Sequence, residues 1–137
     1  MSDTTRGEAV GSGARPVGEG RPGEMRLVAL ADQSWEEVYP DVRRRIAGSE
    51  RMTFTTYRFG PGGRFPRHSH PQEQIVIVRE GLITFTSSTQ TVILQPDQVL
   101  IIPPEIPHEA AAGPEGAVLM SVVAPARRSA TDYTIQE

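Results

Sequence analysis

The sequence predicts a single-domain, all-β protein built as a sandwich or a barrel. From Met25 onward, short apolar runs alternate with polar residues at a period of two, which is typical of half-buried strands. Turn signals containing glycine or proline interrupt these runs about every ten residues, the spacing expected of a sandwich or barrel. The chain of 137 residues has the length of one domain, so it can build one compact core.

The predicted elements follow from this pattern in chain order. The predicted strands cover residues 27–30, 42–47, 52–59, 74–79, 83–87, 91–94, 99–102 and 117–124. The turn signals between them are Gly60-Pro61-Gly62-Gly63, Glu80-Gly81, Pro96-Asp97, Pro103-Pro104 and Gly113-Pro114. One helical turn is predicted at residues 34–37, where Ser34 and Glu37 fit a capping box, and Pro40 prevents a longer helix.

The first 24 residues differ in composition from the rest of the chain. They hold six glycines and two prolines but almost no large apolar residue, which predicts a disordered leader. Residues 25–137 then form the folded domain, with a short irregular tail at its C-terminus. The leader lacks the apolar region of a secretory signal, and no apolar stretch is long enough to span a bilayer. We therefore expect a soluble, cytoplasmic protein with no membrane partner.

Composition also limits the chemistry of any functional site. The absence of cysteine excludes disulfides and thiolate ligands, so a metal would be bound by nitrogen and oxygen. The net charge is -3 and most arginines are scattered, which argues against a nucleic-acid surface. The one run of basic residues, Arg43-Arg44-Arg45, is interpreted as a solvated face.

The strongest functional signal is the stretch RHSHPQEQ at residues 67–74. Side chains two residues apart on a strand share a face, so His68, His70 and Gln74 are predicted to point the same way. The third histidine of the chain, His108, follows a rigid turn of prolines after another strand. A single histidine is more often an ordinary core or surface residue, but this combination predicts a metal site.

These residues resemble the motifs of the cupin family. The first cupin motif matches Gly62, His68, His70 and Gly81, with Gln74 where the family has glutamate. The second motif falls on Asp97, Pro103, Glu105, His108 and Ala112, of which it keeps Pro103 and His108. The resemblance implies a double-stranded β-helix, the cupin jelly-roll barrel, with one divalent transition metal in its mouth.

Gln74 distinguishes this sequence from the usual cupin pattern. A glutamine offers a neutral carbonyl oxygen where glutamate brings a negative charge, so the ion would keep its full charge and act as a stronger Lewis acid. Two alternatives stay open: a bulge could turn Glu73 inward as the ligand, or the three histidines could bind the metal alone. Imidazole and amide ligands suit Fe, Ni, Zn, Mn, Co and Cu without deciding among them.

The closest resemblance is to the cupins of pectin degradation that open unsaturated uronates, which use the same ligand set. Polyketide cyclases and isomerases are related small cupins. An acid, an aromatic residue and an arginine that assist the uronate enzymes correspond here to Ser121, Val123 and Arg127. Loss of the acid and the aromatic residue argues against a uronate substrate, whereas the arginine could still bind an anion.

Further pocket residues are predicted from strand parity and charge, although core packing or surface exposure is the ordinary role of each. The candidate catalytic residues, which would move a proton, are Tyr57, Gln72 and Glu73. The candidate substrate-binding residues are Arg58, Arg67, Met120 and Arg127. Ile75 and Ile77 are expected on the outer face, where a second sheet or a second subunit would cover them, so a homodimer is expected.

Three functions are consistent with this sequence. The first is a metal-dependent isomerase, cyclase or lyase that acts as a Lewis acid on a small, oxygenated, anionic molecule. The second is an Fe(II) dioxygenase that uses the same ligands. The third is a cupin that binds a ligand without turning it over.

Overall fold

The computed structural model describes residues 23–129 and 133–136, so nearly all of the predicted leader lies outside the described residues. The described chain is almost entirely β-structure, which confirms the predicted fold class. A single 3₁₀ turn, Leu30–Asp32, precedes the strands. The strands are β1 Glu36–Tyr39, β2 Val42–Gly48, β3 Thr53–Phe59, β4 Arg64–Ser69, β5 Glu73–Ser87, β6 Thr91–Leu94, β7 Val99–Ile102, β8 His108–Ala124 and β9 Thr134–Ile135.

Two long antiparallel strands organise the barrel. Strand β5 pairs with β8 over its whole length, from Glu73 opposite Ala124 to Ser87 opposite His108. On the other edge of β8, β3 pairs with residues 117–123 and β4 pairs with residues 108–111. Strands β2 and β1 continue the sheet beyond β3, and β9 continues it beyond β4. Strands β6 and β7 pair with different halves of β5. The result is a curled, jelly-roll sheet that places the ends of β4 and β8 beside each other.

Glycines bend the two long strands where breaks were predicted. The pairing jumps from Gly81 opposite Ala117 to Ile83 opposite Ala112, which leaves residues 113–116 as an insertion in β8. Gly81 has a φ of 77°, and a Cβ at this position would collide with the carbonyl oxygen of Gly116. The turn signals at Glu80-Gly81 and Gly113-Pro114 were therefore wrong as strand ends, because backbone pairing continues through both bends.

The structure also corrects the predicted N-terminal elements. Residues 27–30 form no strand, and the predicted helical turn at 34–37 is replaced by the start of β1. Glu36 pairs with Arg44 of β2, so pairing along an open sheet edge overrides a weak local capping preference. Strand β4 and the short strand β9 were missing from the predicted strands. Within residues 23–129 and 133–136, no helix has the length and hydropathy of a membrane span.

The core lies inside the barrel and follows the predicted period of two. Gln74, Val76 and Val78 point inward and are buried, whereas Ile75 and Ile77 are 40% and 38% exposed on the outer face. This outward placement of the two isoleucines confirms the prediction. Aromatic rings from β3, β4 and β5 fill the interior, and the Tyr57 and Phe65 rings meet edge to face at 6.1 Å.

Arg44 is the exception in the basic run that was predicted to face solvent. Its side chain points inward with that of Val42 and is only 2% exposed. The guanidinium Nε donates a hydrogen bond to Glu36 Oε1 at 3.1 Å, and the side chain also bonds Tyr57 on β3. The prediction of a solvated face was wrong for Arg44. An arginine can be buried when a carboxylate balances its charge and hydrogen-bond acceptors meet its N–H groups. Its neighbours Arg43 and Arg45 flank Trp35 on the outer face.

Candidate metal centre

Three buried histidines meet where β4 ends and β8 begins. His68 and His108 are direct cross-strand neighbours, with ring centroids 4.4 Å apart, and His70 follows the end of β4. One ring nitrogen from each histidine lies within 4.8 Å of the others. This spacing is close enough for one ion to contact all three residues, and the described structure thus contains a cluster that could hold a metal.

Backbone hydrogen bonds fix the orientation of each ring. The Nδ1 atom of His68 donates to the carbonyl oxygen of Pro66 at 2.8 Å, and that of His108 donates to Ile106 at 2.8 Å. The Nδ1 atom of His70 donates to the carbonyl oxygen of Gln72 at 3.1 Å. With the proton held on Nδ1, Nε2 presents a lone pair to the shared space, which is how metal-ligating histidines are commonly arranged.

Burial keeps these imidazoles neutral. Desolvation, followed by the proximity of His108, lowers the pKa of His68 to about 3. Desolvation is also the largest cause that lowers the pKa values of His70 and His108. A neutral imidazole is the form that binds a metal, so the site needs no deprotonation at neutral pH.

Gln74 completes the cluster with an oriented amide. Its Nε2 donates a hydrogen bond to Ser121 Oγ at 2.9 Å, which turns Oε1 toward His70. The distance between Gln74 Oε1 and His70 Nε2 is 3.0 Å. With the His70 proton on Nε2 this contact is a hydrogen bond, and with the proton on Nδ1 both atoms are acceptors that a bound cation would bring together. Two ligands bound at about 2.1 Å on adjacent corners of an octahedron lie about 3.0 Å apart, so the donor set fits a divalent metal.

The cluster opens into a small, aromatic-lined cavity of about 30 Å³. His68, His108 and Gln74 line one side of it, and Arg127 contributes a positive charge. The remaining lining residues are Tyr57, Phe59, Phe65, Phe85, Ala110 and Leu119. A mostly apolar wall with a few converging polar groups is typical of a small-molecule site.

Several of the predicted pocket residues are in or beside this site. Tyr57 and Arg127 line the cavity. Gln72 is 1% exposed and supplies the carbonyl that orients His70. Arg67 does not line the cavity; its Nε lies 3.9 Å from a carboxylate oxygen of Glu109, and its positive charge contributes to lowering the pKa of His108.

Three predicted site residues point elsewhere. Glu73 is exposed and pairs in regular register with Ala124, so no bulge turns it inward, and its proposed roles as ligand or proton carrier were wrong. Arg58 is exposed on the outer face, with its guanidinium 5.6 Å from the centre of the Trp35 ring. Met120 was assigned to the wrong face of β8, because its neighbour Leu119 is the residue that lines the cavity.

The structure adds one residue that the sequence did not suggest. Tyr133 lies in the segment predicted to be an irregular tail, and strand β9 carries it onto β4. Its ring centroid is 5.4 Å from that of His68, and its hydroxyl is 3.0 Å from that of Tyr39. Burial and the bond to Tyr39 raise the pKa of Tyr133 to about 12. The sequence around Tyr133 offered only aromatic and hydroxyl side chains as a signal of a functional role. No nearby motif indicated that this tail would lie beside the histidines.

Comparison with known proteins is consistent with this geometry. The family model of the cupin domain matches residues 55–123. An RmlC-like cupin from Shewanella frigidimarina has a TM-score of 0.70 at 20% identity, over 77% of this chain and 95% of that one. KdgF from Halomonas sp. has a TM-score of 0.71 at 20% identity, over 77% and 97%. The polyketide cyclase RemF from Streptomyces resistomycificus has a TM-score of 0.68 at 23% identity, over 83% and 87%. A comparison with curated protein sequences gave no significant match.

Proposed function

The chain belongs to the cupin domain family, and from this premise we propose that it is an enzyme that binds one divalent transition metal. The proposed ligands are His68, His70 and His108, with Gln74 as the fourth. The observation that carries this proposal is that three buried histidines bring their ring nitrogens within 4.8 Å of one another, beside the Gln74 amide oxygen. The all-neutral donor set leaves the charge of the ion undiminished.

The proposed chemistry is an isomerisation, cyclisation or ring opening of a small, oxygenated, anionic molecule. When bound, the metal would supply Lewis-acid polarisation of a carbonyl or of a hydroxyl-carbonyl pair on the substrate. RemF, one of the similar structures, is a polyketide cyclase, which supports a reaction of this class without defining the substrate.

The residues around the metal centre have separate proposed roles. Arg127 binds the anionic group of the substrate, since its guanidinium is the cation that lines the cavity. Tyr57 lines the cavity, and its phenol oxygen is the proposed proton carrier. The aromatic walls around Phe65 and Phe85 exclude water from the reacting atoms.

An Fe(II) dioxygenase is the second proposed function, because the same ligands suit ferrous iron. The two reaction classes differ in whether oxygen is consumed. Oxygen uptake during turnover of a candidate diketone or catechol would assign the protein to the second class. Turnover with no oxygen uptake would assign it to the first.

Metal analysis of the purified protein under anaerobic conditions is the direct test. We expect about one equivalent of a transition metal per chain and loss of that metal in His68→Ala and His108→Ala. Glu73→Gln is the matched control, because Glu73 is next to Gln74 in sequence but faces solvent, and this variant should keep its metal. No metal in the native protein after reconstitution with Fe, Ni, Zn and Mn would reject both enzyme proposals and favour a ligand-binding cupin.

A further inference from the structure

A second cavity adjoins the metal centre and is the larger of the two. It lies between strands β6 and β7, which pair with different halves of β5 and leave a cleft between them. Its volume is about 240 Å³, which is enough for a ring-sized group. The walls include the apolar side chains of Phe85, Val92, Leu100, Ile102 and Ile106.

The cleft adjoins the proposed metal site. Phe85 and His108 line both cavities, so these two side chains lie between the cleft and the metal site. The metal cavity is much smaller than the cleft, about 30 Å³ against 240 Å³. A molecule that reaches the histidines with one end therefore has room for its larger part in the cleft.

The lining of the cleft defines the chemistry of that larger part. Apart from His108, no titratable side chain is among the described residues that line it. The polar groups lie in the turn that joins β5 to β6, residues 86–90. Ser87 Oγ accepts hydrogen bonds from the backbone nitrogens of Thr89 and Gln90 at 3.2 Å each, which holds this turn in place. The hydroxyls of Ser88 and Thr89 are on exposed residues at the rim.

We propose that this cleft binds the uncharged, apolar, ring-sized body of the substrate while the oxygenated end of the same molecule reaches the metal centre. The inference rests on the proposed function, since it assigns the substrate class of that site. The cleft accepts a ring with an apolar face and hydroxyls at one edge, where the 86–90 turn can bond them. A sugar acid fits the cleft less well, because ring hydroxyls that face Leu100 and Ile102 would find no polar side chain there.

The first test examines the cleft independently of the metal. The probe is 2-naphthol, added to the full-length isotope-labelled protein and followed by amide chemical shifts. We expect saturable shifts in residues 86–90 and at Ile102, and at least about a tenfold loss of affinity in Val92→Asp, which places a charge in the apolar wall. Ile93→Asp is the matched control, because Ile93 is the next residue of β6 but is 57% exposed and does not line the cleft.

A second variant protects this test against misfolding of Val92→Asp. Ile106 lines the cleft from an exposed loop and is 36% exposed, so Ile106→Glu should fold. Its affinity for 2-naphthol should fall about as much as that of Val92→Asp. If native protein shows no shifts at these residues, or if affinity is equal in native protein and in folded cleft variants, the inference is overturned.

The second test joins the cleft to the metal centre. Acetohydroxamate and 2-naphthohydroxamate carry the same chelating group, but only the second has an apolar ring body. On zinc-loaded protein, we expect calorimetry to show that 2-naphthohydroxamate binds at least about tenfold more tightly than acetohydroxamate. Val92→Asp and Ile106→Glu should abolish this difference in affinity. The control variant Ile93→Asp should keep it. Equal affinity of the two hydroxamates on zinc-loaded protein overturns the inference and leaves the metal proposal intact. Failure of zinc to bind rejects the metal proposal, and the 2-naphthol result then decides the cleft by itself.

Discussion

The amide of Gln74 is the single side chain on which the metal proposal depends most. Replacing it by leucine keeps the volume but removes the oxygen ligand, and we expect about 10- to 100-fold weaker metal binding. Gln74→Glu should bind the metal at least as tightly as the native protein, because a carboxylate adds charge and keeps an oxygen ligand. Competition with a chromophoric chelator measures both affinities.

The same measurement separates a ligand from an orienting group. Ser121→Ala removes the hydrogen-bond acceptor that orients the Gln74 amide. It should therefore reduce the metal affinity by less than Gln74→Leu does. Glu73→Gln should leave the affinity unchanged. If Gln74→Leu bound metal as tightly as the native protein, the three histidines alone would form the site.

The buried histidines also predict a dependence of stability on pH in the metal-free protein. The pKa of His68 is lowered to about 3 in the folded state, against about 6.5 in the unfolded chain. Below pH 6.5 the unfolded state takes up a proton that the folded state does not, so stability falls as pH decreases from 6.5 toward 3. From pH 7 to pH 5, His68 alone should lower the free energy of unfolding by about 2 kcal/mol.

Urea unfolding of chelator-treated protein at both pH values measures this loss. His68→Gln removes one of the groups that titrate and should lose less stability over the same interval than the native protein does. An equal loss in the two proteins would show that His68 does not contribute. Because protons and metal compete for the same imidazoles, saturating zinc should oppose the loss in the native protein.

For individual side chains, the sequence was most informative where the strand period of two could be counted from a histidine of the predicted metal site. The period of two correctly placed Gln74 inside and Ile77 outside. The three metal-site residues in the stretch 67–74 were nevertheless wrongly assigned to one strand, because β4 ends at Ser69 and β5 begins at Glu73. Counting was wrong at Met120, because β8 offered no comparable reference residue. Arg44 was also misjudged, since its burial depends on partners from β1 and β3 that a local pattern does not reveal.

Strands β5 and β8 bend together at a place where the turn signals had predicted strand ends. The glycines were read correctly as special backbone positions, but each long strand was expected to end there. Ladder pairing continues past the bend because Glu80 still pairs with Val118 and Ile83 with Ala112. Whether a glycine ends a strand or bends it depends on the partner strand, which local sequence does not specify.

Substitution at this bend should have a measurable cost. Gly81→Ala places a Cβ against the Gly116 carbonyl and also forces alanine to a φ near 77°. We expect a loss of about 2 kcal/mol or more in the free energy of unfolding, measured in urea. Gly62→Ala is the matched control: its φ is 68° but nothing lies within 4 Å, so it should lose only the strain of about 1–2 kcal/mol. Equal losses would show that the close approach at Gly81 costs nothing.

The outer face formed by the paired strands β5 and β7 bears on whether the protein forms an oligomer. Ile75 pairs across the strands with Ile101, and Ile77 pairs with Val99. Their exposed fractions are 40% and 60% for the first pair, and 38% and 57% for the second. Such a cluster of exposed, β-branched side chains is more apolar than a monomer surface usually tolerates, and we propose that a second copy of the chain covers it.

The proposed dimer can be tested on its own, because its surface is separate from the metal site. Sedimentation should show a native dimer, and Ile77→Lys or Val99→Lys should shift it to monomer, because each places a charge at the centre of an apolar interface. Ile93→Lys is the control, since Ile93 is as exposed as Val99, at 57%, but lies on β6 outside this face.

The side chains of β5 alternate between the two surfaces, so monomeric Ile77→Lys should still bind metal through Gln74 on the opposite face. Loss of metal together with the dimer would instead show that the barrel interior depends on assembly. A native protein that sediments as a monomer would reject the dimer and leave these isoleucines as exposed surface.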